Sequence, residues 1–306
     1  MIKDPQLIPK IPISLMVPIL QVRRFVGNLP FKEIEECVEE WKQAKEIFPL
    51  DKDVQIKSID IDGLEAAWVR IQGIEPRGTI FYCHGGGYAF GSIEMHKEFV
   101  SRLARTCNME GFIFNYRLTP EHPFPAGLED SLKAYTYILD QGKDPDTIVI
   151  AGDSAGGGLT MSTLLKLREL QLPLPKCTVC ISPWVDLTHT SESNRLNVKI
   201  DPMLRPNVLK KIAKFYSPTE DFTNPLISPV FADLTGLPPM LILVGTLEVL
   251  LDDARLLAKN AERDGVATEL EIWEGMPHVF PYMAAVLPEA EKSIENIGTF
   301  VRQYIV

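Results

Sequence analysis

Positive charge is in short supply in this chain: across 306 residues, 31 lysines and arginines stand against 41 aspartates and glutamates, a formal net charge of −10. A nucleic-acid binder needs a basic stripe to neutralise phosphates, and none exists here, so that class is excluded. Cysteine is scarce and odd in number, at five. That count argues for free thiols in a reducing compartment, the cytoplasm, rather than for a disulfide framework. Cys177 and Cys180 have a spacing used in redox and zinc chemistry, yet they lie in the strand-like run Cys177-Thr178-Val179-Cys180-Ile181. Residues three apart on a strand face opposite sides, so the pair reads as buried small apolar residues. No His-Glu-x-x-His and no paired carboxylate cluster is present, and the expectation is no metal and no cofactor. Long hydrophobic runs are missing too. The most apolar N-terminal stretch, Ile11 to Leu20, is broken by Pro12 and Pro18, is too short to span a bilayer and is followed by no Ala-x-Ala cleavage site, so stable membrane insertion is not expected. Internal repeats and low-complexity segments are absent as well.

What is present is enough apolar sequence, 45% of the chain, to bury one large core and a modest extra subdomain. Apolar runs predict strands at about 53–61, 66–72, 79–83, 112–116, 147–151, 177–181, 240–245 and 268–273. Helical patterns fall at about 96–107, 128–141, 159–171, 252–264 and 288–306. This alternation predicts an α/β fold, a mostly parallel eight-stranded sheet flanked by helices on both faces. The interval from 187 to 225 breaks the rhythm.

One motif carries chemistry. Gly152-Asp153-Ser154-Ala155-Gly156 follows the apolar Val149-Ile150-Ala151 and precedes the helical pattern from Leu159. A Gly-x-Ser-x-Gly between strand and helix is the context of a nucleophile elbow, in which the glycines clear the turn and the serine oxygen stands proud of the sheet. Ser154 is therefore the candidate nucleophile. A trypsin-like protease also sets its serine in Gly-Asp-Ser-Gly, but its chain continues into β structure where this one turns helical.

A nucleophilic serine needs a base, and only five histidines are available: His84, His96, His122, His189 and His278. In α/β-hydrolases the order is serine, acid, histidine, which leaves His189 and His278. His189 lies in the polar run Asp186-Leu187-Thr188-His189-Thr190 and reads as a solvated loop residue. His278 follows the strand pattern Leu270 to Trp273, at the C-terminal strand end where such folds keep their chemistry. The acid should follow the strand Met240 to Gly245. Glu248 stands in the turn, whereas Asp252 and Asp253 open a helical pattern and suit its N-terminal end. Glu248 is assigned, with Asp252 the alternative.

Upstream, the strand run Thr79 to Cys83 ends in His84-Gly85-Gly86-Gly87. Consecutive glycines let backbone N–H groups reach a ligand, and the Gly-Lys-Ser/Thr of a phosphate loop is missing. Gly85, Gly86 and Gly87 with Ala155 are the expected oxyanion hole. His84 is read as shaping this loop and His122 as fixing a turn.

These segments, together with Tyr116-Arg117-Leu118-Thr119-Pro120-Glu121-His122-Pro123, Ser182-Pro183-Trp184-Val185-Asp186-Leu187 and Pro238 to Gly245, resemble in colinear order the bacterial hormone-sensitive-lipase family of esterases. The resemblance covers roughly residues 50 to 306. It implies an α/β-hydrolase with a helical cap that hydrolyses carboxylic esters of short to medium acyl chains without a cofactor. The cap is expected in two parts, 1–48 and 187–225, around a core of 49–186 and 226–306. Most members of the family carry aspartate where this chain has Glu248. The expected partner is a small-molecule ester, with a homodimer through the sheet edge near 268–273. The alternatives are an amidase or peptidase with the same machinery and a non-catalytic receptor of the same fold.

Overall fold

The computed structural model describes residues 49–219 and 221–305; the expected N-terminal part of the cap, 1–48, lies outside them. Eight strands form one sheet: β1 (Val54–Ile61), β2 (Leu64–Ile71), β3 (Thr79–Cys83), β4 (Glu110–Phe114), β5 (Ile148–Asp153), β6 (Cys177–Ile181), β7 (Met240–Gly245) and β8 (Thr268–Trp273). Their spatial order is β1-β2-β4-β3-β5-β6-β7-β8. The first two make an antiparallel hairpin and β2 meets β4 antiparallel, while every pairing from β4 through β8 is parallel. Helices α1 (Ile93–Cys107), α2 (Ala126–Asp140), α3 (Ala155–Glu169), α6 (Leu251–Arg263) and α7 (Pro288–Tyr304) cover it. Between β6 and β7 lie the short α4 (Ser193–Leu196) and the amphipathic α5 (Pro206–Tyr216).

The central strands β3, β5, β6 and β7 are buried along their whole length because both faces are covered, whereas β1 and β8 at the sheet edges carry exposed residues. Along β3, Phe81 and Cys83 join the core under α2, α3 and α6, and Ile80 and Tyr82 join the one under α1 and α7. The same alternation separates Cys180 from Cys177, and burial pushes both thiols up to about 12. The four cysteines among the described residues are free and buried. No described helix is long and apolar enough to cross a membrane.

Parallel strands align their C-terminal ends along one edge, and there the elbow after β5, the glycine loop after β3, the acid loop after β7 and the histidine loop after β8 converge. Next to that edge, Asp253 in the first turn of α6 accepts the Val185 and Asp186 N–H groups at 3.1 and 2.9 Å through Oδ2, while Oδ1 has no hydrogen-bond partner among the described residues. Burial, with the Asp186 charge close by, holds its carboxyl well above the usual range. A folded-state pKa raised above the unfolded one removes stability as pH rises past the unfolded value. Relative to wild type, Asp253→Asn is therefore expected to gain in Tm between pH 4.5 and pH 8, which paired thermal melts at the two pH values check.

Candidate active site

Ser154 occupies the tip of the turn between β5 and α3 with φ 54° and ψ −123°, a region that a side-chain-bearing residue enters at a cost. The turn is this tight because its glycines leave no room for more: a Cβ on Gly156 would overlap the carbonyls of Cys83 and His84, and one on Gly152 would overlap that of Gly156. The Ser154 N–H donates to the Ile181 carbonyl at 2.9 Å, and its carbonyl accepts from the Trp184 N–H at 2.8 Å, so β6 and the loop after it clamp the elbow. The side chain is left partly exposed.

The Ser154 hydroxyl donates to His278 Nε2 at 2.9 Å, and His278 Nδ1 donates to Glu248 Oε2 at 2.7 Å. His278 is 4% exposed and Glu248 not at all. The second carboxylate oxygen of Glu248 accepts from Ser182 Oγ at 2.7 Å and from the Gly245 N–H at 2.6 Å. Burial works against charge on the His278 ring, but the hydrogen bond and charge of Glu248, with the charges of Asp201 and Asp153, outweigh it and raise the pKa above the ordinary 6.5. The arrangement can take a proton from Ser154 and hold the resulting imidazolium.

The Asp252 carboxylate takes no part in this chain of bonds among the described residues. It accepts the Ser193 N–H at 2.7 Å and pairs with Arg255. His189 departs from expectation: it is 7% exposed, not a solvated loop residue, with its ring 5.5 Å from that of Trp184 and Nδ1 3.3 Å from Asn194 Oδ1. Burial lowers its pKa to about 4. The polar run around it folds inward because Ser193 and Asn194 bind the acid loop, a tertiary fact without local signal. His122 is exposed, and its backbone N–H donates to the Leu118 carbonyl at 2.9 Å within the turn.

In the glycine loop, Gly86 has φ 113° and Gly87 φ 62°, backbone that favours glycine. Their N–H groups and that of Ala155 have no acceptor among the described residues. Gly85 differs from its neighbours and from expectation: its N–H donates to Asp153 Oδ1 at 2.9 Å, so it is not free to bind a developing oxyanion. Asp153 Oδ1 also accepts from Tyr82 Oη at 2.8 Å and Tyr282 Oη at 3.2 Å, which ties the elbow to the loop. His84 donates from Nδ1 to the Gly85 carbonyl at 2.8 Å and stacks on Tyr116 at 4.2 Å. Burial, with His96 nearby, lowers its pKa to about 3, so the ring stays neutral and shapes the loop without exchanging protons. Sequence reading passed over Ser182 and Asp153. Position could have pointed to both, since each stands at the C-terminal end of a central strand.

Fold and site together define the α/β-hydrolase class. The family model described as the alpha/beta hydrolase fold matches residues 80–282. The chain is 42% identical over 237 residues to an acetyl-hydrolase of Streptomyces hygroscopicus, covering 78% of this chain and 79% of that one. It is 35% identical to an esterase of Acinetobacter venetianus, over 84% and 85% of the two chains. A solved esterase of the bacterial hormone-sensitive lipase family superposes with a TM-score of 0.90 at 38% identity, over the whole of both chains. The chain belongs to the α/β-hydrolases and, within them, to the hormone-sensitive-lipase family of serine carboxylic ester hydrolases.

Proposed function

We propose that the protein hydrolyses carboxylic esters of short to medium acyl chain through an acyl-enzyme, with Ser154 as nucleophile, His278 as general base and then acid, and Glu248 as the group that orients it. The observation that carries this reading is the pair of hydrogen bonds through the two nitrogens of His278, 2.9 Å to the serine and 2.7 Å to the glutamate. Ser154 attacks the ester carbonyl as His278 takes its proton; the N–H groups of Gly86, Gly87 and Ala155 receive the oxyanion; the alcohol departs with the proton from His278, and water repeats the sequence on the acyl group. Each such donor is worth about 3 kcal/mol of transition-state stabilisation. The short-acyl preference is supported by similarity to proteins named acetyl-hydrolase and, at 27% identity, to an ethyl acetate hydrolase of Pseudomonas putida.

In this reading 187–225 is the second part of a cap whose first part is 1–48, over a core of 49–186 and 226–306. The buried free thiols favour the cytoplasm. The outer side of β8 is an unpaired sheet edge among the described residues, where two chains would join as a dimer. Turnover of p-nitrophenyl esters from acetate to palmitate tests the function: fast hydrolysis of the acetate and butyrate, falling steeply beyond the octanoate, is expected. No turnover of any ester, with turnover of anilides, would favour an amidase; neither turnover nor organophosphate labelling would leave a receptor.

A further inference from the structure

The loop that carries Glu248 is gripped from outside the sheet. Asn197 Nδ2 donates to the carbonyls of Thr246 and Glu248 at 3.1 and 2.7 Å. Ser193 Oγ donates to the Val249 carbonyl at 2.7 Å and accepts the Asp252 N–H at 3.1 Å. Asp201, 1% exposed, accepts the Val249 N–H at 2.8 Å through Oδ2, and through Oδ1 the N–H groups of Met203 and Leu204, each at 2.8 Å. A carboxylate buried this deeply normally has a reason to be there, because desolvation opposes its charge. Three backbone donors satisfy it, and one of them belongs to the residue next to Glu248.

We propose that Asp201 is a positioning residue for ester hydrolysis: from the segment between α4 and α5 it fixes the backbone beside Glu248 and places a second negative charge behind His278. The proposal rests on the ester-hydrolase reading. Among the described residues Ser154 from the elbow and Glu248 from the acid loop are hydrogen-bonded to the His278 ring, and the charges of Asp201 from the outer segment and Asp153 from β5 act on it as well. The cation beside Asp201 is Arg205, whose guanidinium donates to the Asp201 and Leu204 carbonyls at 2.6 and 2.7 Å. Burial raises the Asp201 carboxyl above its ordinary value, while the three backbone donors and the charge of His278 work the other way; an imidazolium forming at His278 therefore favours the Asp201 carboxylate, and the carboxylate in turn supports the imidazolium. Displacing that segment would loosen the acid loop and weaken the base together.

The experiment measures kcat, KM and the pH dependence of kcat/KM for p-nitrophenyl butyrate in the full chain. Wild-type turnover and its loss in Ser154→Ala test the ester-hydrolase reading by themselves. Given both, Asp201→Asn is expected to lower kcat by roughly tenfold or more with KM nearly unchanged, and to move the acid limb to lower pH by about half a unit or more, since the base loses a negative neighbour. Ser193→Ala removes two bonds from the same grip but no charge and should leave the acid limb in place. Asp201→Glu, which keeps the charge, should hold the limb while kcat falls, and it serves equally if Asp201→Asn does not fold. A folded Asp201→Asn with wild-type kcat and limb, an equal limb shift in Ser193→Ala, or a limb in Asp201→Glu displaced to lower pH would each overturn the proposal.

Discussion

Ser154→Ala is expected to cut kcat for p-nitrophenyl butyrate by a factor on the order of 10⁵ to 10⁶ while leaving the protein folded. Among the described residues the hydroxyl is the one group hydrogen-bonded to His278 Nε2. The other hydroxyl in the constellation, Ser182, donates to Glu248 and accepts the Val279 N–H at 3.1 Å, which commits it on both sides. Folding should survive because the elbow is held through the backbone, by the bonds of the Ser154 N–H and carbonyl, which alanine retains. Steady-state kinetics and mass-spectrometric labelling with an organophosphate check the two halves: the variant should neither turn over nor label. Retention of more than about 1% of wild-type kcat would sink the assignment of the nucleophile.

Glu248→Gln is expected to cost about 10⁴ in kcat, the size of effect seen when the acid of a serine triad is made neutral. The geometry gives the reason. Oε1 accepts two hydrogens, from Ser182 Oγ and the Gly245 N–H, so a glutamine must leave its carbonyl there and turn its NH₂ toward His278 Nδ1. Nδ1 then has to accept, the ring proton moves to Nε2, and the nitrogen facing Ser154 can no longer take a proton. Asp252→Asn, in the helix start one turn further on, should keep most of the activity because its carboxylate serves Ser193 and Arg255. Parallel kcat measurements on the two variants decide the point. Loss in Asp252→Asn with retention in Glu248→Gln would reverse the assignment.

Much of the fold could be read in advance because the central strands are buried on both faces and spell themselves out as apolar runs, β3, β6 and β7 most clearly. The misses have physical causes. β4 begins at Glu110 rather than near 112, because this carboxylate is buried at the strand's start and paired with Arg70 and Lys143, which no hydropathy pattern reveals. The helical periodicity of α3 is legible only from Leu159 although the helix begins at Ala155, because three glycines fill its first turns against every helix propensity. Those glycines are demanded by close neighbours: Cys83 and His84 at Gly156, Pro183 at Gly157, Trp184 and Tyr88 at Gly158. In the site, Ser154, Glu248 and His278 stood out because order along the chain limits the choices. The division of labour among the glycines did not, since Gly85 is distinguished only by Asp153, a partner 68 positions away in the chain.

The left-handed turn at Ser154 limits how far this enzyme can be hardened by selection or design. A side-chain-bearing residue held in such a sparsely populated conformation costs roughly 1 to 3 kcal/mol, maintained only because the surrounding sheet and helix leave it no alternative. Relaxing that one dihedral would return the energy to the folded state and withdraw the hydroxyl from the histidine in the same movement. Robustness therefore has to be sought at positions remote from the elbow, and a lineage adapting to heat would keep this conformation while everything around it changed.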